Sequence, residues 1–230
     1  MVNEISIKED KWHGPISVRL TDNIIDSVIG LLVALCPILQ HYNGFFLEVS
    51  SEILIILFPY VLIKLSAKQT IVLKSVLPLL LYAVYISIIH GFSVFLFLRE
   101  ILLFVFFLAA YNNAFNVSCM ISAARSISLL AAVCIIAQYF SYYILGNHLQ
   151  LVPTNMLVDS ASQWIALAKT GHISVTGSWM ALYRPSAFFL EPSHLAIYTL
   201  PVLIFELLGK RNRYTSLILT VSIFLSTSSS

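Results

Sequence analysis

The segment 183–201, with the sequence YRPSAFFLEPSHLAIYTLP, groups several residues that could do chemistry. Pro192 suits the first turn of a helix, because the N–H group that proline lacks has no partner there. Ser193 and His194 would then lie on a turn whose free N–H groups and helix dipole favour an anion. Arg184 adds a guanidinium that can hold a phosphate through two parallel hydrogen bonds. The segment therefore predicts a binding site for a phosphate or diphosphate.

Glu191 and His194 stand three positions apart, and at helical spacing both can face one cavity. Either side chain is then a candidate general base. A Glu-x-x-His pair also binds metals in helix bundles, where a second pair completes the site. Because this chain offers a single pair, we predict no metal and no other cofactor. The competing interpretation is structural: the charged residues cap the helix at a membrane interface and extend toward water.

Arg99 and Glu100 lie inside an otherwise apolar stretch, where ionisable residues are costly and often functional. Adjacent residues point about 100° apart on a helix, so each needs its own partner on another element. Arg99 could line a polar cavity and hold an anionic group. Alternatively, the two residues clamp neighbouring helices together, and the sequence leaves both interpretations open.

Other ionisable residues near the apolar stretches have structural explanations. Arg125 stands at the predicted start of a span, where a cytoplasmic cation fixes the orientation of the chain. Asp26 is expected at a membrane interface. Glu206 precedes Lys210 by four positions, which is the favourable order for a pair on one helix. We therefore expect these residues to support the fold.

The composition indicates the environment that must position these residues. The 230 residues are 59% hydrophobic and 10% charged, whereas about a quarter of the residues of a soluble domain are charged. The deficit runs along the whole chain and indicates a membrane protein. The net charge of +2 is too small to suggest a nucleic-acid partner. Cys36, Cys119 and Cys134 are interpreted as small buried hydrophobic residues.

Apolar stretches long enough to cross a bilayer recur along the chain. A spanning helix needs about 20 mostly apolar residues, and the chain offers seven candidates. The predicted fold is therefore all-α: a single polytopic transmembrane helix bundle over residues 1–230. We expect no cleavable signal peptide, and the unfinished last span indicates the N-terminal part of a longer protein. The predicted spans are 24–41, 46–64, 73–90, 93–111, 124–145, 192–208 and a last one that begins near 214.

The positive charges predict the orientation, because cytoplasmic loops of membrane proteins are enriched in lysine and arginine. Ten of the thirteen positive residues fall on one set of alternate loops that includes the N-terminal segment. The N-terminus is therefore expected in the cytoplasm, and the segment 146–191, about 45 residues, becomes an external loop. Its stretch 155–169 carries apolar residues near helical spacing and predicts a short helix at the membrane interface.

The run Arg-Pro-Ser-x-Phe-Phe-x-Glu-Pro-Ser-His-x-Ala, which begins at Arg184, resembles the O-antigen polymerase and ligase superfamily. The serine-rich end LSTSSS of the next helix is also similar to that superfamily. The resemblance is close over about residues 180–230, whereas the earlier spans fit only in number and hydrophobicity. The polymerase branch commonly shows R-x-x-x-F-x-E-P, a pattern that fits Arg184, Phe188 or Phe189, Glu191 and Pro192.

The resemblance implies a metal-independent glycosyltransferase with several spans in the bacterial cytoplasmic (inner) membrane. It would join repeat units of O-antigen, capsule or exopolysaccharide, carried on undecaprenyl diphosphate, at the outer membrane face. Arg184, Arg99 and Ser193 would bind substrate, and Glu191 or His194 would be the catalytic base. The implied partners are the lipid-linked glycan, the lipid bilayer and a chain-length regulator protein. An O-antigen ligase that uses lipid A core as acceptor, a flippase for lipid-linked sugars and a structural membrane protein are the alternatives.

Overall fold

The computed structural model describes residues 24–67, 77–89, 94–157, 169, 183–209 and 212–227. These residues form an all-helical protein in which two isolated β-bridges, Tyr42 with Leu157 and Asn43 with Glu48, join connecting segments. Its helices are α1 (Ile24–Leu39), α2 (Val49–Ser66), α3 (Leu77–Ile89), α4 (Val94–Tyr111), α5 (Val117–Leu145), α6 (Pro192–Leu208) and α7 (Arg213–Thr227), and a 3₁₀ turn covers Thr154–Met156.

Each of the predicted spans coincides with one of these helices, and the largest difference is at the start of α5. This helix begins at Val117, although the hydrophobic pattern places its start at 124. Asn116 caps it, because the Asn116 side chain accepts a hydrogen bond from the backbone N–H of Cys119 at 3.0 Å. Such a cap contributes about 1 kcal/mol to helix stability. Arg125 therefore lies inside the helix rather than at its first turn.

The central element of the bundle is α5, which packs against α1, α6 and α7. On the other side of α1 follow α2, then α4, then α3, so that these helices form a row. One apolar core, with Ile29 and Phe106, joins α1, α2 and α4. A second core, with Ile135, Phe189 and Leu195, joins α5 to α6 and to the segment before it. The second core holds the start of α6 in place.

Helices α2 and α5 are long and apolar enough to cross a membrane. Their most apolar stretches have mean hydropathies of 1.8 and 2.1, yet only 28% and 22% of these stretches are buried inside the protein. Exposed apolar side chains such as Ile56, Val133 and Phe140 cover their outer faces. A soluble protein rarely leaves so much apolar surface in water, so this surface indicates membrane association.

An ion pair with a buried carboxylate connects α5 to α6. The Nε atom of Arg125 lies 2.8 Å from Oε1 of Glu206, and the Arg125 Nη2 donates a hydrogen bond to Oε2 at 3.3 Å. The Glu206 side chain is 1% exposed. The pair explains how a carboxylate can be buried here, since an unpaired buried charge would be costly. Lys210, the predicted helical partner of Glu206, lies outside the described residues.

Gly30 marks the closest approach of α1 to the start of α5. A Cβ atom at Gly30 would lie 2.6 Å from the backbone oxygen of Asn116 and 3.1 Å from the backbone nitrogen of Met120. Because both neighbours are backbone atoms, Gly30→Ala must push the helices apart, and we expect it to cost about 1–3 kcal/mol of folding free energy. Thermal unfolding in detergent measures this, with Val28→Ala as the exposed control. Equal melting temperatures for the two variants would contradict the close approach.

Candidate functional site

The start of α6 brings three of the predicted site residues together. Pro192 occupies the first turn of α6, as its missing N–H group favours, and Glu191 precedes it with an extended backbone, φ −141° and ψ 158°. His194 Nε2 lies 3.1 Å from Glu191 Oε1, and the Ser193 hydroxyl donates a hydrogen bond to the same oxygen. Glu191 and His194 therefore contact each other, whereas their predicted role at a common cavity stays a prediction.

His41, which follows the end of α1, joins this group from the other end of the sequence. Its Nε2 lies 3.2 Å from His194 Nδ1, and the two ring centroids are 4.7 Å apart with an interplanar angle of 21°. The result is a continuous chain of contacts from Glu191 through His194 to His41. Sequence analysis missed His41 because 153 positions separate it from His194. The only local signal is an ionisable residue directly after an apolar span.

Arg99 extends the same group toward α4. Its Nη1 lies 3.9 Å from Oε2 of Glu48, which precedes α2. The positive charge of Arg99 also acts on the imidazole of His41. Arg99 is therefore part of a set of residues, named here the polar cluster, at the end of α1 and the starts of α2, α4 and α6. The polar cluster comprises His41, Glu48, Arg99, Glu191, Ser193 and His194.

An apolar cleft of about 300 Å³ lies between α2 and α4, next to Arg99. Leu47, Ile55, Phe58 and Leu98 line it together with Ser51. Of the Arg99 side-chain nitrogens, Nε is buried without a hydrogen-bond partner among the described residues. A guanidinium group at an apolar cleft suits a molecule that carries an anionic group on a hydrocarbon chain.

Two hydrogen bonds to α5 hold the segment that carries Arg184, one before Arg184 in the sequence and one after it. The hydroxyl of Tyr183 donates a hydrogen bond to the backbone oxygen of Gln138 at 3.0 Å. The side-chain oxygen of Gln138 accepts one from the backbone N–H of Ala187 at 2.9 Å. Ala187 has a φ of +55°, a left-handed conformation that persists only where surrounding contacts impose it. The backbone around Arg184 is therefore held rigidly.

The guanidinium of Arg184 is half-buried and is not joined by a hydrogen bond or ion pair to any other residue that the structure describes. Hydrogen bonds and an ion-pair contact thus join Glu191, Ser193, His194 and His41. A separate contact joins Arg99 to Glu48, and no such contact joins Arg184 to either group among the described residues. Next to Arg184, burial raises the pKa of the Tyr183 hydroxyl to about 12, with further contributions from Tyr142 and Tyr143. Tyr183 therefore stays a neutral hydrogen-bond donor at physiological pH.

The geometry of the Glu191–His194–His41 chain bears on metal binding. Glu191 contacts His194 at Nε2 and His41 contacts it at Nδ1. These two nitrogens point away from each other across the ring, so the three side chains do not converge on one ion. Within the described ranges, no group of three such side chains is arranged to hold a metal ion. The predicted interfacial helix at 155–169 falls almost entirely outside the described residues.

The environment of His41 makes the stability of the protein depend on pH. Burial lowers the pKa of His41 below its ordinary 6.5, His194 and Arg99 lower it further, and the carboxylate of Glu191 acts in the opposite direction. The folded protein therefore disfavours charged His41, and the stability from neutral His41 is present above about pH 6.5 and lost below it.

We expect the free energy of unfolding to fall as the pH drops below 6.5, the ordinary pKa of the imidazole, and to fall less steeply in His41→Gln. Thermal unfolding in detergent between about pH 5 and pH 8 measures both slopes. Identical slopes for the two proteins would show that His41 does not titrate differently on folding.

Comparison of the chain with protein-family models, with curated proteins and with solved structures found no match.

Proposed function

We propose that this protein is a polysaccharide polymerase of the bacterial cytoplasmic membrane. It joins oligosaccharide repeat units carried on undecaprenyl diphosphate, and it does so at the outer membrane face. The observation that carries this proposal is the polar cluster: in a chain with 10% charged residues, Glu191, His194, His41 and Arg99 gather where four helix ends meet. Ionisable residues gathered from separate helices of so apolar a chain make a candidate functional site.

The topology of the proposal follows the positive-inside rule. All the described helices except the short 3₁₀ turn cross the membrane, and the N-terminus is cytoplasmic. The end of α1 and the starts of α2, α4 and α6 then lie on the external side. The polar cluster therefore faces the compartment in which lipid-linked repeat units are polymerised. Phe45 and Phe46, which are 95% and 94% exposed beside it, suit the interfacial belt of such a membrane.

The reaction is a glycosyl transfer between two lipid-linked glycans. A hydroxyl oxygen of the acceptor sugar bonds to the anomeric carbon of the donor, and the bond from that carbon to the diphosphate oxygen breaks. Glu191 accepts the hydroxyl proton as general base, while undecaprenyl diphosphate leaves with the bonding electron pair. Arg184 stabilises the charge that develops on the leaving diphosphate. Arg99 supplies a second contact to the diphosphate, and Ser193 helps to bind substrate.

The apolar cleft between α2 and α4 supports a lipid-linked substrate. Its lining is hydrophobic, its volume is about 300 Å³, and Arg99 lies among its lining residues. An isoprenoid chain fits such a lining, and the attached diphosphate would then reach the guanidinium of Arg99. A substrate without a hydrocarbon chain would leave this apolar surface without a role.

Replacing Arg184 with alanine is expected to lower polymer yield by about 100-fold, because a preorganised donor to a developing charge contributes roughly that much to the rate. Arg184→Lys keeps the charge but loses the bidentate geometry, so we expect an intermediate yield. The length and amount of surface polysaccharide on gels measure both. Unchanged yield in Arg184→Ala at equal protein level would remove Arg184 from the site.

The experiment that tests the proposed function is deletion of the full-length gene in its host, followed by complementation. A polymerase deletion leaves single repeat units in place of the long ladder of surface polysaccharide, and the wild-type gene restores the ladder. Polymer that accumulates on the lipid carrier would instead indicate an O-antigen ligase. Repeat units retained on the cytoplasmic side would indicate a flippase. An unchanged ladder in the deletion strain would contradict all three functions.

A further inference from the structure

We infer that His41 is a positioning residue: it fixes the proton of His194 on Nε2, and His194 in turn holds one oxygen of the Glu191 carboxylate. The structural part of this inference stands on contacts alone. Its consequence for catalysis rests on the proposed function, in which Glu191 is the general base. No pattern in the sequence links His41 to Glu191, because the two lie at opposite ends of the described chain.

One side of the His194 ring, with Nε2, faces Glu191. A carboxylate can only accept hydrogen bonds, so a nitrogen 3.1 Å from Glu191 Oε1 must carry a proton to make a favourable contact. That nitrogen is Nε2 of His194. If Nε2 carried a lone pair instead, it would repel the carboxylate and Glu191 would turn away. The neutral imidazole of His194 therefore has its proton on Nε2 and its lone pair on Nδ1.

The other side of the His194 ring, with Nδ1, faces His41. Nδ1 of His194 needs a donor, and Nε2 of His41 lies 3.2 Å away. His41 therefore donates its Nε2 proton to His194, and this hydrogen bond stabilises the tautomer that Glu191 requires. The two rings also pack on each other, with planes 21° apart and centroids 4.7 Å apart. In enzymes generally, the hydrogen bond that one ring nitrogen of a histidine makes decides which nitrogen carries the proton.

The two carboxylate oxygens of Glu191 differ in their hydrogen bonds. Oε1 receives the Nε2 proton of His194 and the hydroxyl proton of Ser193. Within the part of the chain that the structure describes, Oε2 makes no hydrogen bond. The Glu191 side chain is 17% exposed. The contacts of His194 and Ser193 occupy Oε1, and in the proposed function Oε2 is the oxygen that accepts the proton of the acceptor hydroxyl.

The surroundings of His41 keep its imidazole neutral near neutral pH. Burial, His194 and Arg99 oppose a positive charge on His41, whereas Glu191 favours it. Glu48, the carboxylate nearest to Arg99 at 3.9 Å, neutralises part of the Arg99 charge.

Two substitutions of His41 separate the effect of its hydrogen-bond donor from the effect of its aromatic ring. His41→Gln places an amide N–H near the position of Nε2 and keeps the donor, while it loses the aromatic ring. His41→Phe keeps the ring and its packing on His194 but has no donor. Because the two variants lose opposite properties, a role in packing and a role in tautomer selection give opposite results. Thermal unfolding of both variants in detergent confirms that they are folded before they are compared.

The direct readout is the ¹⁵N NMR spectrum of His194 in purified full-length protein labelled at histidine, with His194→Gln to assign the signal. We expect the Nε2–H tautomer in the wild type and in His41→Gln, and a mixture of tautomers in His41→Phe. In polymerisation assays we expect His41→Phe to lower kcat by about 100-fold through misplacement of Glu191, with KM unchanged, and His41→Gln to restore most of it.

A His194 proton on Nδ1 in the wild type would overturn the inference. So would a His41→Phe variant that keeps both tautomer and activity while His41→Gln loses them. The NMR result does not depend on glycosyl transfer. If the tautomers follow the expectation and no strain makes polymer through this protein, the proposed function fails and the positioning of Glu191 by His41 stands.

Discussion

Glu191→Gln is expected to abolish polymer formation, with a loss of about 10²–10⁴-fold in the rate of glycosyl transfer. Glutamine has nearly the same shape and can still accept the hydrogen bonds from Ser193 and His194 at its amide oxygen. It cannot accept a proton from a sugar hydroxyl at neutral pH, so the change removes the base and leaves the site in place. The rate at which labelled repeat units enter polymer measures the effect.

Glu191→Asp provides the matched comparison. Aspartate keeps the carboxylate but withdraws it by one methylene group, which weakens the contact with His194 and displaces the second oxygen. We expect a measurable but reduced rate, between those of the wild type and Glu191→Gln. A Glu191→Gln protein that is folded, present at the normal level and fully active would show that Glu191 is not the base.

Arg125→Met is expected to destabilise the protein by about 3–5 kcal/mol, because the carboxylate of Glu206, whose side chain is 1% exposed, would be buried and unpaired. Glu206→Leu leaves an arginine whose side chain is 34% exposed, so we expect a smaller loss. Arg125→Met should therefore be the more damaging substitution. Thermal or chemical unfolding in detergent measures the loss.

The double variant Arg125→Met with Glu206→Leu is the control for this prediction. It removes both charges and leaves apolar side chains of similar volume, so it should recover most of the stability lost in each single variant. The double-variant cycle isolates the energy of the pair. Additive losses, in which the double variant is as unstable as the sum of the single ones, would show that the two side chains do not stabilise each other.

The helices of this protein could be predicted from sequence because each apolar stretch has the length of a membrane span. The start of α5 could not, since Asn116 and Ser118 interrupt the hydrophobic pattern while Asn116 in fact caps the helix. Crossing of the bilayer by every helix stays a prediction. The helix at 155–169 also stays a prediction, because almost all of it lies outside the described residues.

The candidate site could be predicted in part, because only some of its residues are neighbours in the sequence. Glu191, Ser193 and His194 are neighbours in sequence, so helical geometry alone predicts that they meet. Arg125 with Glu206 and His41 with His194 are separated by 81 and 153 positions. Which helices pack together decides such contacts, and a hydrophobic pattern does not specify it. The roles of Arg184 and Arg99 in substrate binding stay predictions.

The most direct measurement of the central claim is glycosyl transfer by the purified full-length protein in lipid vesicles. The vesicles contain lipid-linked repeat units with a radiolabelled sugar, and the products are separated by size. We predict that labelled units become longer glycans on the lipid carrier while undecaprenyl diphosphate is released in equal amount, and that Glu191→Gln stops both. Repeat units that stay single in the presence of folded wild-type protein would contradict the claim.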